Sequence, residues 1–233
     1  MAELQVASVP QHIGFIVDGN RRWAREHGLP IAEGHRRGYD NLEVITQAAY
    51  DRGVKYVSAY VFSTENWKRE RTEVRDIMKL LKWVLHHELE KFNRRGVRLR
   101  VVGSKLRVGK ALLKAIHEAE RLTENNNRGT LLLCLDYGGQ QEIVDATKRI
   151  MADGYSPDDI TPELISSYLY APDIPAPDLI IRTSGEQRLS NFLLWESAYS
   201  ELIFSKVYWP DFSEKDLAKA MAEYARRQRR FGS

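Results

Sequence analysis

Five short apolar runs, at 13–17, 54–62, 97–102, 131–135 and 178–181, alternate with longer segments whose apolar residues recur at helical spacing. The runs are mostly β-branched or leucine-rich, which suits strands, and their alternation with helices predicts a parallel sheet covered on both faces. A further short strand around 202–204 extends that sheet to about six. Helical patterns occupy about 34–51, 72–95, 110–125, 139–152 and 213–229. The clearest, 72–95, lines up Ile77, Leu80, Leu81, Val84, Leu85, Leu89 and Phe92 on one face. Such a stripe reads as core packing, and beside a ligand site it also reads as the wall of a lipid tunnel. Five prolines between 153 and 178 (Pro157, Pro162, Pro172, Pro175 and Pro177) mark an irregular surface excursion with at most one short helix near 162–169. A partial lid is one use for it. At 233 residues the chain fits one α/β domain over 1–233, with a central, mainly parallel sheet flanked by helices.

Composition removes several classes of function. Hydrophobic residues make up 43% and charged residues 29%, ordinary for a globular enzyme. The formal charge of +3, from 35 basic and 32 acidic residues, is too balanced for a nucleic-acid partner, so any anion site must come from local clustering. No stretch approaches a membrane span, and residues 1–12 lack the basic and apolar regions of a signal peptide, so a cytoplasmic location is expected. The single cysteine, Cys134, sits inside an apolar run, which excludes an intramolecular disulfide and disfavours a thiolate metal site. His86 and His87 are adjacent on a helix, point different ways, and read as surface residues.

Three strand ends carry the chemistry. After 13–17 come Asp18-Gly19-Asn20-Arg21-Arg22, in which glycine lets backbone amides approach an anion and the neighbours supply donors. A carboxylate there suits a divalent cation shared with a phosphate, although Asp-Gly also makes a common turn or helix cap. After the second run, Ser63-Thr64-Glu65-Asn66-Trp67-Lys68-Arg69 offers hydroxyls, an amide, a guanidinium and an indole for a polar headgroup with an apolar body. After the fifth, Arg182 and Arg188 flank a small-residue turn and can grip one diphosphate. In a parallel sheet these ends share one edge, so the groups converge.

Assembled, the chain resembles the cis-prenyltransferases, most closely bacterial undecaprenyl diphosphate synthase and its relatives, the isoprenyl transferases. The resemblance rests on residues 12–23, Gly34-His35, Phe62-Ser-Thr-Glu-Asn-Trp67, Tyr137-Gly-Gly139, Arg182-Thr-Ser-Gly-Glu186, Arg188-Leu-Ser-Asn-Phe-Leu-Leu-Trp195 and Trp209-Pro-Asp211, in fixed order from His12 to Gly232. It implies a homodimer that extends an allylic diphosphate with isopentenyl diphosphate, forming each new double bond in the Z configuration, with an apolar tunnel beside the sheet. Asp18 matches the essential Mg²⁺ carboxylate and Gly19, Asn20, Arg21 and Arg22 the cradle of the allylic diphosphate, with Trp23 and His35 as further contacts. Ser63, Thr64, Glu65, Trp67 and Arg69 match a second substrate loop, where Asn66 fills the position assigned as proton acceptor. An amide is a poor base, so Asn66 is better suited to orient substrate while a phosphate oxygen takes the proton. Arg182, Arg188, Leu189 and Ser190 match the isopentenyl diphosphate pocket, and Glu201 a second metal-linked carboxylate. Arg230 and Gly232 match a tail that crosses to the partner subunit.

The sequence also departs from that pattern. Arg21 stands where many members have a small residue, Ile31 where many have an arginine for the allylic diphosphate, and Asp136 where asparagine is common. The cues to product length conflict, since Gly129 is small at an expected tunnel floor while Val61 is bulky. A non-catalytic subunit of a heteromeric prenyltransferase is the alternative from another class. A nucleotide-binding reading lacks any glycine-rich fingerprint. A long apolar product also implies peripheral contact with a membrane at release.

Overall fold

The strands are β1 (His12–Ile16), β2 (Tyr56–Ser63), β3 (Val97–Val102), β4 (Gly129–Tyr137), β5 (Leu179–Arg182) and β6 (Glu201–Phe204). In the computed structural model, which describes residues 9–227, they form one sheet in the order β3-β4-β2-β1-β5-β6. Every pairing is parallel. Strand β1 therefore lies between β2 and β5, where the chain changes direction across the sheet, the position at which such sheets bind ligands.

Among the described residues eight α-helices cover the sheet: α1 (Asn20–Glu26), α2 (Ile31–Asp51), α3 (Arg71–His87), α4 (Leu89–Arg94), α5 (Lys110–Thr123), α6 (Gly139–Ala152), α7 (Pro162–Ser167) and α8 (Glu214–Arg226). Alternation along β4 sends Leu131, Leu133 and Leu135 into the larger core, with side chains of α2, α3, α5 and α8. Leu132 and Cys134 face the other way, against Tyr137, Phe192 and Leu193. Each fully buried leucine or phenylalanine contributes roughly 1.5–3 kcal/mol. Cys134 is free and completely buried, as its apolar run required.

Three features differ from the sequence-based expectation. The stripe at 72–95 is two helices, interrupted at Glu88, although Leu89 and Phe92 stay buried in the same core. No proline or glycine marks the break, so periodicity reads through it. Helix α1 was not anticipated, because a seven-residue helix gives too short a pattern to recognise. The proline-rich excursion contributes no residue to the lining of the polar cleft described below. It braces other elements instead, with Asp173 pairing with Arg100 at 2.6 Å and the Pro175 carbonyl 2.6 Å from the His12 ring.

Candidate active site

Asp18 is two residues past the end of β1, and its backbone is fixed from below. Its carbonyl accepts from the Thr183 hydroxyl at 2.6 Å and from the Trp209 N–H at 3.0 Å. Gly19 follows at φ 112°, where a Cβ would lie 2.8 Å from the Tyr208 ring, so only glycine fits. Asn20 begins α1, which presses into α2 at two glycines: a Cβ at Gly34 would come 2.3 Å from the Asn20 carbonyl oxygen, and one at Gly38 2.4 Å from Asn20 Oδ1. This close approach brings Arg21, Arg22 and Arg25 to the mouth of the β1 loop.

Arg182, the last residue of β5, lies beside Ile16 in the register and is only 4% exposed. A guanidinium this buried needs partners. It donates to Asp18 Oδ2 at 2.9 Å and to the Ser190 hydroxyl at 2.7 Å. Arg22 reaches Asp18 Oδ1 at 3.3 Å, Glu186 at 3.2 Å and the Ser184 hydroxyl. Burial raises the Asp18 carboxyl, but Arg182 and Arg22 outweigh it and hold the group below the usual carboxylate range. Asp18 is therefore an anion at neutral pH, flanked by two cations.

The β2 end adds the opposite wall. Ser63 closes β2, and its N–H donates to Asn66 Oδ1 at 3.2 Å, capping the short 3₁₀ turn Thr64–Lys68. Asn191 donates to Glu65 at 3.0 Å. A buried carboxylate, Glu73 on the first turn of α3, ties three elements together. It lies 3.3 Å from His35, 3.0 Å from Arg69 and 3.6 Å from Arg21. Burial depresses the His35 ring below its ordinary value despite Glu73, so the imidazole is neutral at pH 7.

These walls enclose a polar cleft of about 780 Å³. Beside it, between α2, α3 and the sheet, lies an apolar crevice of about 80 Å³ lined by Ile77, Leu81, Val84, Leu99 and Leu133 among others. The two share Val17, Asn20, His35 and Val61, which form the neck between them. A site of this shape takes a ligand with a polyanionic head and an apolar body.

Known proteins match this arrangement along nearly the whole chain. The prenyltransferase family model for undecaprenyl diphosphate synthases matches residues 16–232. The isoprenyl transferase of Thermotoga maritima is 46% identical over 226 residues, covering 96% of this chain and 97% of that protein. Over 228 residues the chain is also 46% identical to a trans,polycis-polyprenyl diphosphate synthase, (2Z,6E)-farnesyl diphosphate specific, of Thermobifida fusca, covering 96% and 81% respectively. The crystal structure of lavandulyl diphosphate synthase from Lavandula x intermedia, in complex with dimethylallyl diphosphate, superposes with a TM-score of 0.92 at 33% identity, over 97% of this chain and 99% of that one. The chain belongs to the cis-prenyltransferases.

In this cis-prenyltransferase Asp18, Gly19, Asn20, Arg21, Arg22, His35, Ser63, Glu65, Asn66, Arg69, Arg182 and Ser190 all line the polar cleft. The other expected site residues are placed differently. Trp23 is 9% exposed, stacks on His27 and donates its indole N–H to Asp211, so it secures α1 instead of touching the cleft. Trp67 packs edge-on against Phe62 and donates to Asp136 at 2.6 Å. Arg188 is largely exposed and paired with Glu186, while its carbonyl accepts from Arg182. Leu189 packs against the smaller core, and Thr64 lies near Gly138 and does not line the cleft.

Glu201 lies apart from the cleft. It is the first residue of β6, paired in register with Leu179 at the amino edge of the sheet, and it binds Arg227 at 2.7 Å. Asp18 stands at the opposite edge, roughly five residues or about 16 Å away along the strands. Within one subunit the two carboxylates cannot share an ion. Arg230 and Gly232 lie outside the described residues.

The departures acquire reasons. Asp136 is fully buried at φ 50°, a conformation aspartate tolerates better than most residues. Besides Trp67 it accepts from Ser104 at 2.8 Å and Arg107 at 2.7 Å, and Arg107 supplies the counter-charge. Ile31 opens α2 and does not line the cleft, whereas Arg21 and Arg25 do. Gly129 makes room for Tyr50, whose ring would meet a Cβ at 2.4 Å, and does not line the crevice. Sequence reasoning missed Glu73, Thr183, Ser184 and Asn191. Glu73 carried a weak signal, as an acidic residue in a helix's first turn within a stripe of apolar ones.

Proposed function

We propose that this chain is a Mg²⁺-dependent, homodimeric isoprenyl transferase that condenses isopentenyl diphosphate with an allylic diphosphate such as farnesyl diphosphate, producing a Z-polyprenyl diphosphate. The observation that carries this reading is the neck at Val17, Asn20, His35 and Val61, which joins an arginine-rich cleft to an apolar crevice. A diphosphate in the cleft places its prenyl chain in the crevice, out of water. Arg21, Arg22 and Arg25 face the allylic diphosphate, and Arg182 with Ser190 the isopentenyl diphosphate. Ionisation of the allylic C–O bond leaves negative charge on the departing diphosphate, and donors already in place stabilise it as it forms. The isopentenyl double bond then attacks the cation, a C–C bond forms, and proton loss creates the new double bond.

Asn66 is poorly placed to take that proton. Its Oδ1 accepts the Ser63 N–H, so the end left for the cleft is the NH₂, a donor. The diphosphate oxygens are the acceptors available, and Asn66 orients them.

Asp18 suits Mg²⁺, which is commonly held by one or two carboxylates together with substrate phosphates and water. Among the described residues no group of three metal-ligating side chains exists, so Asp18 would hold the ion jointly with substrate. When bound, Mg²⁺ supplies positive charge against the leaving diphosphate. A metal role for Glu201 requires a neighbouring subunit.

Incubating the purified chain with labelled isopentenyl diphosphate, farnesyl diphosphate and Mg²⁺ tests the proposal. Chain-extended products that vanish with a chelator are expected. A non-catalytic subunit of a heteromeric enzyme would give none, although Asp18 and Asn66 both stand in the cleft against that alternative. Chromatography of the products reads their length, and light scattering reads the dimer.

A further inference from the structure

The outer face of α3 carries Arg71, Arg75, Lys79, Lys82 and His86, all exposed. At 100° per residue they fall within an arc of about 80° that holds no acidic residue. Like charges three and four residues apart oppose helix formation. Two other helices relieve such charges with acidic partners. On α2, Arg36 is paired with Glu33 and Asp40, and on α8 Lys219 is paired with Asp216 and Arg226 with Glu223. On α3 the one ion pair of these residues with another described residue is a 3.7 Å contact of Arg75 with Asp76. Arg71, Lys79 and Lys82 have no acidic partner among the described residues.

Trp83 borders the stripe, 45% exposed and stacked on His87. An exposed indole beside lysines and arginines suits the boundary between lipid headgroups and acyl chains. The opposite face of the same helix, through Ile77, Leu80, Leu81, Val84 and Leu85, walls the apolar crevice. At about 80 Å³ that crevice is well below the roughly 300–1,000 Å³ of ordinary ligand pockets, so a growing prenyl chain must displace its wall.

We propose that the outer face of α3 docks the enzyme on an anionic lipid bilayer. The cations meet the headgroups, Trp83 enters the interface, and the wall that yields to the product lies against the membrane that receives it. The last of these rests on the prenyl-transfer reading; the docking itself does not. A soluble polyanion would satisfy the cations but gives Trp83 no role, so the bilayer is favoured.

Sedimentation of the full chain with vesicles tests this. Phosphatidylcholine vesicles doped with about 30% phosphatidylglycerol should bind it, pure phosphatidylcholine should not, and salt near 0.5 M should release it. Reversing Arg75, Lys79 and Lys82 to glutamate should weaken binding at least about a hundredfold, at roughly fivefold for each cation removed. Prenyl transfer assayed in detergent should be unchanged in that variant, which also reports that it is folded; the milder K79Q/K82Q variant should lose binding in proportion. W83A should weaken vesicle binding and leave heparin binding alone. Absence of binding to anionic vesicles by the unaltered chain overturns the proposal, as does a folded charge-reversed variant that binds them normally. Tight heparin binding with vesicle binding indifferent to W83A also overturns it, in favour of a soluble polyanion. An unaltered chain that binds vesicles but makes no product defeats the prenyl-transfer reading alone.

Discussion

Asp18 shows how little a residue type says without its neighbours. An Asp-Gly corner is a turn in most chains; here Arg182 and Arg22 keep the carboxylate ionised and Thr183 and Trp209 fix its backbone. Asp18→Asn keeps the shape and an acceptor for Arg182 but removes the charge. Turnover should fall by about 10³-fold with the melting temperature changed by only a few degrees, measured by product formation and calorimetry on one preparation. Near-normal turnover would remove the metal role. A second carboxylate behaves in the opposite way. Glu196 is half-buried, but its Oε2 is shielded from water with no partner among the described residues, and the neighbouring Glu142 is engaged by Tyr137 and the Tyr170 N–H. Burial first, and Glu142 next, push the Glu196 carboxyl up to about 8. Its folded pKa exceeds the unfolded one, so its stabilising contribution is complete at low pH and disappears as pH rises toward 8. Glu196→Gln should therefore raise the melting temperature more at about pH 8.5 than at about pH 5. Parallel melting curves for the two proteins across that range would refute it.

At the scale of elements, strand positions were the most legible part, because short apolar runs between helical segments have few other readings. The 13–17 run became β1 with a shift of one residue, and 97–102 matched β3 at both ends. Helices were legible where their apolar stripe was long. Helix α6 was anticipated to the residue, whereas α1 was invisible and the α3–α4 break was masked by a stripe that continues through it. Gly129 illustrates a cue that sequence misassigns. It is small because β4 begins against the Tyr50 ring. Gly129→Ala should destabilise the protein by about 1–3 kcal/mol through overpacking while leaving product length unchanged. Urea denaturation and product chromatography check the two halves separately, and a shortened product would return Gly129 to the tunnel.

For the whole molecule, the placement of three loops depends on strand order. Because β2, β1 and β5 are neighbours, their carboxyl ends stand about 5 Å apart in succession, and residues more than a hundred positions apart share one cleft. The same order places Glu201 at the far edge. Among the described residues no helix is long and apolar enough to cross a membrane, yet the expected product is strongly apolar. Each added five-carbon unit is worth up to about 4 kcal/mol of burial, so long products should dissociate slowly. Steady-state rates should rise on adding detergent or vesicles, after a first turnover that does not depend on them. Stopped assays with and without detergent measure this, and equal steady-state rates would refute it.

The sequence by itself determined the sheet, its helical cover and the three motif-bearing strand ends, since these follow from local patterning and from residue chemistry at fixed spacing. Tertiary structure decided which motif residues line the cleft. Trp23 and Trp67 have the composition of binding residues, but their indoles are spent on Asp211 and Asp136. Glu73 looks like a helix-terminal acid and becomes the link among His35, Arg69 and Arg21. The physical reason is common to all of these. A side chain's role is set by which partners reach it first, and those partners come from distant strands and helices whose order no local pattern encodes.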